Sequence, residues 1–380
     1  MLKVNYFHWR ITNFGAMSMT ENQKASSERN KAFAQDLNRR VHAYLNKDGK
    51  SSYADFRYYF KAVVMAGLYW VPFALMLLQI GGDTMFWLSW VIMGFGMAGI
   101  GMNVMHDANH GSVSKKKEVN NLFGASMYLL SGYVLTWQIQ HNHLHHNHTN
   151  HLGKDEDLET RGLLRLHPGD RWKKMHKYQA WYGPLIYGLL TLNWVVVKDF
   201  SQIKRYHTMG LLKKFNTTVR AEFIKLSLIK ALYVGVFIGL PMIMGWAWYS
   251  VLLGFAAMHF IAGFVLSFVF QLAHVVPEVD HPTEEEATGP GAWQVNNLLT
   301  TSNFAMKNPI ITWCLGGLNH QVEHHLFPHV SHVHYPALAK IVEATAKEHG
   351  LPYHKHSFML EAVVAHMKFL VEMGKKPAMA

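Results

Sequence analysis

Four stretches of the chain stay apolar for long enough to cross a bilayer. Residues 61–81, KAVVMAGLYWVPFALMLLQIG, carry a single charge, at one edge. As a helix rising 1.5 Å per residue, they span ~30 Å of hydrocarbon. After a short polar break, residues 85–105, MFWLSWVIMGFGMAGIGMNVM, repeat the pattern, and 226–246 and 248–272 form a second pair. The short connectors predict two helical hairpins. Gly94, Gly96, Ala98, Gly99 and Gly101 in the second span favour close helix packing. Stretches 121–137 and 183–197 are shorter and broken by Gly, Pro or polar residues; neither is expected to cross, and 121–137 is read as re-entrant or interfacial. Residues 1–58 are polar and read as a partly helical lead-in, 281–303 as a polar loop, and the chain from 335 on as an amphipathic, soluble tail. The expected division is an N-terminal segment 1–58, a membrane domain 59–335 and a C-terminal tail 336–380. There is no internal repeat.

Charge orients this arrangement. The connectors within each pair carry no Lys or Arg. The long loops between and after the pairs hold Lys115–Lys117, Lys173, Lys174, Lys204, Arg205, Lys213 and Lys214. The positive-inside rule places those loops and both termini in the cytosol. Half of the residues are hydrophobic and 16% charged, and the net charge is 36 − 25 = +11. Because the basic residues follow membrane-side loops, the expected partners are anionic headgroups or a phosphate-bearing lipid carrier, with no nucleic acid. The single cysteine, Cys314, excludes a disulfide framework and a Cys-based zinc or iron–sulfur site. The polar N-terminus offers no apolar core of a cleaved signal peptide.

Histidine is where the chemistry gathers. Of 26 histidines, 13 fall in four places: 106–110, 141–151, His274 and 320–329. His106 and His110 stand four apart at the end of the second span, which puts both rings on one helical face. His141 and His145 repeat that spacing, and His146 adds an adjacent ring. His274 follows the fourth span directly. In NHQVEHHLFP, Gln321, His324 and His325 stand at i, i+3 and i+4. A solvated His-rich loop has no reason to repeat helical spacing at the ends of separate apolar spans. Neutral imidazole suits iron, zinc or copper, and a cage this large holds two ions.

The three boxes resemble those of the membrane fatty acid desaturases: HxxxH at His106 and His110, HxxxHH at His141, His145 and His146, and QxxHH at Gln321, His324 and His325. The likeness runs from about 60 to 335, with the same four-span hairpin layout. It implies an all-α integral membrane protein, with four transmembrane helices in two hairpins and a cytosolic helical cap holding a di-metal site. It further implies two iron ions that activate dioxygen, held by His106, His110, His141, His145, His146, His274, His324 and His325, with Gln321 as a ninth candidate. Gln321 in place of a histidine resembles the front-end desaturases, which insert a double bond between an existing one and the carboxyl end. That subgroup usually carries a fused cytochrome b5 domain, but residues 1–60 lack a His-Pro-Gly-Gly haem motif, and HPGD at 167–170 is isolated. A separate electron donor of the cytochrome b5 or ferredoxin type is therefore expected, with a fatty acyl-CoA or acyl-lipid substrate. Asp107, Asp155, Asp157 and Glu323 are candidates to orient the ligating imidazoles. His143, His148 and His320 fall outside the box spacing. His259, inside the fourth span, is read as an interhelical hydrogen-bonding group.

Removing hydrogen from an unactivated methylene needs an oxidant that no side chain provides, so metal and dioxygen must supply it. A hydroxylase or ketolase on the same scaffold is the alternative enzyme. A metal transporter would need polar ligands inside the spans, which hold almost none.

Overall fold

The computed structural model describes residues 21–47, 51–283 and 289–377; the first part of the expected lead-in lies outside them. Four helices are long and apolar enough to cross a membrane: α2 (Phe56–Leu77), α3 (Gly82–Asn109), α4 (Val219–Ile243) and α5 (Trp248–His274). Helix α1 (Glu21–Asn46) precedes them. The chain continues through α6 (Ala292–Leu299), α7 (Gln321–Leu326), α8 (Tyr335–Glu348) and α9 (Met359–Gly374). The one strand pair among the described residues is three residues long, with β1 (Ser302–Phe304) parallel to β2 (His354–His356). The protein is thus all-α with four membrane-length helices.

Three of the helices start ahead of their apolar runs, while α2 and α4 end before theirs. Asp55 caps α2 by accepting from the Arg57 amide at 2.9 Å, so the helix starts ahead of its apolar stretch. Past the last turn, Gln79 and Gly81 adopt left-handed backbone, reversing the chain into α3. The close packing expected of the second-span glycines is present. A Cβ on Gly96 would sit 2.8 Å from the Leu68 carbonyl carbon, and one on Gly94 2.9 Å from the Met258 oxygen. Trp90, Met93, Met97, Phe237, Phe255 and Met258 fill the core of the four-helix bundle. Outward-facing Val63, Val71, Phe95, Leu228, Leu232 and Leu253 are exposed, as lipid-facing positions are in a chain described without its bilayer.

Neither weak apolar stretch forms a helix of membrane length. Residues 121–137 break at Ser131, whose φ is 56°, and 183–197 divide into the helices Gln179–Tyr187 and Leu190–Val196. A buried charge in α4 pins both. The Lys230 ammonium donates to Asp199 Oδ2 at 2.8 Å, to the Trp194 carbonyl at 2.6 Å and to the Ser131 carbonyl. Thr136 donates to the other Asp199 oxygen. Stranding either member of such a buried pair costs about 3–5 kcal/mol. His259 is likewise held between helices, its Nε2 3.0 Å from the Tyr233 hydroxyl and its Nδ1 3.0 Å from Thr191 Oγ1.

One expectation is corrected. Within the stretch 281–303, read as a polar loop, residues 292–303 contain α6 and most of β1, and Asn296, Asn297, Thr300, Thr301, Ser302 and Asn303 are buried. Their polarity serves internal hydrogen bonding, which a composition reading mistakes for solvation. The amphipathic C-terminal stretch packs onto the rest of the protein. The Phe369 and Leu370 side chains of α9 join a core with Leu164, Leu166, Tyr187 and Val275. At the other end of the sequence, α1 buries Phe33, Leu37 and Val41 against Val295, Leu298, Val322 and Leu338.

Candidate metal centre

All the box histidines meet at one end of the bundle. Helix α3 winds as a π-helix over Gly101–Met105 just before His106. Within the turn that follows, His110 N donates to the His106 carbonyl at 3.1 Å. The second box lies on a π-helix, Gln138–His145, in which His146 N bonds the His141 carbonyl five residues back. That wider winding brings both the fourth and the fifth residue beside the first, so one element presents three imidazoles. Such π segments are rare and concentrate at functional sites. His274 ends α5, and α7 contributes His324 and His325. The Val322 amide at the start of α7 is anchored on Asn303 Oδ1.

The rings form a nearly continuous cage. Nitrogens of His106, His110, His141 and His324 lie within 4.8 Å of one another, as do those of His145, His274 and His325, while His146 joins His324 and His325. His106 Nε2 and His141 Nε2 are 3.2 Å apart, and His146 Nε2 is 3.3 Å from the same His141 atom. Buried nitrogens without a hydrogen-bond partner occur on His106, His110, His145, His146, His274, His324 and His325. Buried polar atoms are almost always satisfied, so this many unpartnered nitrogens within one cluster of imidazoles fit a bound cation. Imidazole nitrogen suits iron, zinc and copper. Gln321 is buried and lines a cavity of about 160 Å³ beside His106 and His141, with Met102, Met105, Leu130, Trp194, Phe270 and Leu318 completing its apolar wall.

The groups behind the imidazoles divide the four candidate carboxylates. Asp155 Oδ1 is 2.9 Å from His145 Nδ1, and Asp157 Oδ2 is 2.7 Å from His141 Nδ1. Asp107 and Glu323 face elsewhere. Asp107 accepts from Ser331 Oγ, His332 N and His332 Nδ1 at 2.8–3.0 Å. Glu323 accepts from Asn303 and Tyr353. Each sits one residue from a box histidine, which on a helix turns it off the shared face. Two partners escaped the sequence reading: Asn297 Oδ1, 3.0 Å from His325 Nδ1, and the Tyr335 hydroxyl, 3.2 Å from His324 Nδ1. Both are uncharged, and Asn297 lies in the supposed loop. His143 and His148 are half-buried and outside the cage. His320 is buried, 3.8 Å from Glu323.

Electrostatics favour the ligating form. Burial, reinforced by neighbouring imidazoles, pushes His110, His146, His324 and His325 well below the usual histidine range and keeps them neutral. Burial also pulls on His145, but the Asp155 and Asp157 carboxylates more than offset it and raise its proton affinity. Burial alone would raise Asp157, yet His145 and His141 hold it below the usual carboxylate range.

Comparison with known proteins agrees with this geometry. The sequence model of the fatty acid desaturase family matches residues 82–357. The chain is 31% identical to an sn-1 linoleoyl-lipid 6-desaturase of Arthrospira platensis, over 91% of this chain and 93% of the relative. It is 28% identical to the protein of that description from Synechocystis sp., over 91% and 96%. It is 33% identical to an acyl-lipid (8-3)-desaturase of Physcomitrium patens, over 77% of this chain and 60% of the relative.

Proposed function

The chain belongs to the fatty acid desaturase family, and from that premise we propose that it is a front-end acyl-lipid desaturase working through two irons. It is a membrane desaturase that acts on a lipid substrate and uses dioxygen. The finer reading assigns the irons to His106, His110, His141, His145, His146, His274, His324 and His325, with Gln321 at the side of His106 and His141. The observation that carries it is the set of buried imidazole nitrogens that lack any protein partner. The sn-1 linoleoyl-lipid and acyl-lipid names of the relatives favour an acyl-lipid over an acyl-CoA. A linoleoyl chain already holds double bonds, so a new one at the sixth carbon lies on their carboxyl side. The active end faces the cytosol, following the basic loops, and a separate carrier of the cytochrome b5 or ferredoxin type supplies electrons.

When bound, the irons supply the activation of dioxygen that lets hydrogen leave an unactivated methylene. The protein contributes position and dryness. The apolar wall of the cavity holds the acyl chain against His106 and His141. Trp137, whose ring centroid is 4.6 Å from that of His141, helps keep water out. Asp155 and Asp157 hold the Nδ1–H of His145 and His141, which leaves each Nε2 as the electron-rich nitrogen, that of His141 beside His106 and His146. Expression in a host fed linoleate, followed by gas chromatography–mass spectrometry of methyl esters, tests the reading. A new cis double bond on the carboxyl side of the existing pair is expected. One on the methyl side, or a hydroxylated product, would overturn it.

A further inference from the structure

Where α2 emerges at the histidine end of the bundle, a groove of about 450 Å³ opens beside the helix Pro309–Cys314. It shares no lining residue with the cavity at the histidines. Its lining includes three cations, Arg57, Lys61 and Lys307, and no carboxylate, together with Phe56, Phe60 and Trp313. Arg57 is already bound to Asp55 through Nε and Nη2 at 3.0 and 2.8 Å. Lys307 stands exposed at the rim.

Lys61 is the informative residue. It is only 5% exposed, yet among the described residues its ammonium has one hydrogen-bond partner, His332 Nε2 at 2.9 Å, and the Trp313 ring 5.8 Å away. His332 is in turn fixed through Nδ1 on Asp107, which leaves its Nε2 to face Lys61. An ammonium carries three donors, and a buried cation with unused donors calls for an anionic acceptor. The surroundings say what kind. Phe56, Phe60 and Val63, at i, i+4 and i+7 on the outer face of α2, are 78%, 61% and 71% exposed, and Ile310 across the groove is 72% exposed. The cationic floor therefore opens sideways onto a stripe that hydrocarbon covers. A free anion has no use for that stripe, whereas a lipid fits both parts.

We propose that this groove binds the anionic headgroup of a membrane glycerolipid, its phosphate on Lys61 and Lys307 and an acyl chain along Phe60 and Val63. The proposal rests on the four apolar helices crossing a bilayer and not on which double bond is made. The full chain, purified in detergent, is offered phosphatidylglycerol or phosphatidylcholine, and retained lipid is counted by native mass spectrometry. Phosphatidylglycerol should be retained in preference. Lys307→Glu and Lys61→Met should each lower its retention at least about fivefold, the ratio expected for one cation at a headgroup, with phosphatidylcholine unchanged. Lys307→Glu, at the exposed rim, keeps the test valid where Lys61→Met fails to fold. Lys213→Glu, an exposed residue of the short helix Leu211–Lys214 that does not line the groove, should have no effect. Equal retention of the two lipids, no change in Lys307→Glu, or an equal loss in Lys213→Glu would overturn the proposal. Displacement by millimolar inorganic phosphate alone would also overturn it, because the groove would then serve a free phosphate.

Discussion

Replacing Asp155 with Asn removes one charge and one acceptor behind the cage while changing almost nothing in volume. The Asp155 side chain is 1% exposed, and its oxygens lie 2.9 and 3.0 Å from His145 Nδ1. They also accept from the Asn150 and Asp157 amides at 2.9 and 3.0 Å. An asparagine keeps one of those oxygens and turns an NH2 toward a donor at the other position. Such a mismatch in a buried site costs about 1–3 kcal/mol. His145 loses the group that fixes its tautomer, so metal affinity should fall about 10- to 100-fold, equivalent to about 1.4–2.8 kcal/mol. Metal retained after dialysis against graded chelator, with desaturation measured on the same samples, reads the effect. Glu159→Gln, an exposed carboxylate nearby, serves as the control. The thermal stabilisation conferred by metal should shrink in Asp155→Asn, which a purely structural defect would not cause. Metal affinity within twofold of wild type, with normal turnover, would refute the orienting role.

Other substitutions probe the cage itself. His145→Ala should abolish product and lower bound metal, whereas His143→Ala, half-buried outside the cage, should keep substantial activity; equal loss in both would reassign the second box. Gln321→Ala should cut turnover strongly while leaving membrane insertion intact, and Gln321→His should impair rather than improve it; wild-type metal content and turnover in Gln321→Ala would remove Gln321 from the site. Metal-stripped protein should lose stability as pH falls below the ordinary histidine value of 6.5. His110, His146, His324 and His325, held well below that value in the fold, take up protons only on unfolding. Each contributes up to about 1.4 kcal/mol per pH unit, and His145, raised in the fold, opposes them in part. A melting temperature that rises on acidification from about pH 8 to about pH 5 would contradict this.

The four spans and the box histidines were legible because both depend on short-range pattern: a run of apolar residues, and a repeat of three or four. The π-helical winding of Gln138–His145 was not, since HxxxHH already looks acceptable on an α-helix until two adjacent rings must face one way. Asn297 and Tyr335 were invisible because a neutral hydrogen-bonding residue has no signature without its neighbour. Asp107 and Glu323 misled for the opposite reason: adjacency in sequence suggested contact, and helical geometry turned them to Ser331 and His332, and to Asn303 and Tyr353. Polarity at 292–303 suggested solvent, where it marks the hydrogen-bonded backing of the cage.

The central claim is that the histidine cage holds two irons and that both are needed. Stripped protein titrated anaerobically with ferrous iron, then supplied with electrons, dioxygen and lipid substrate, tests it directly. Product should rise with added iron and level off at about two irons per chain, while zinc, which has no redox chemistry, should fill the cage and restore nothing. A plateau at one iron, recovery with zinc, or turnover by the stripped protein would contradict it.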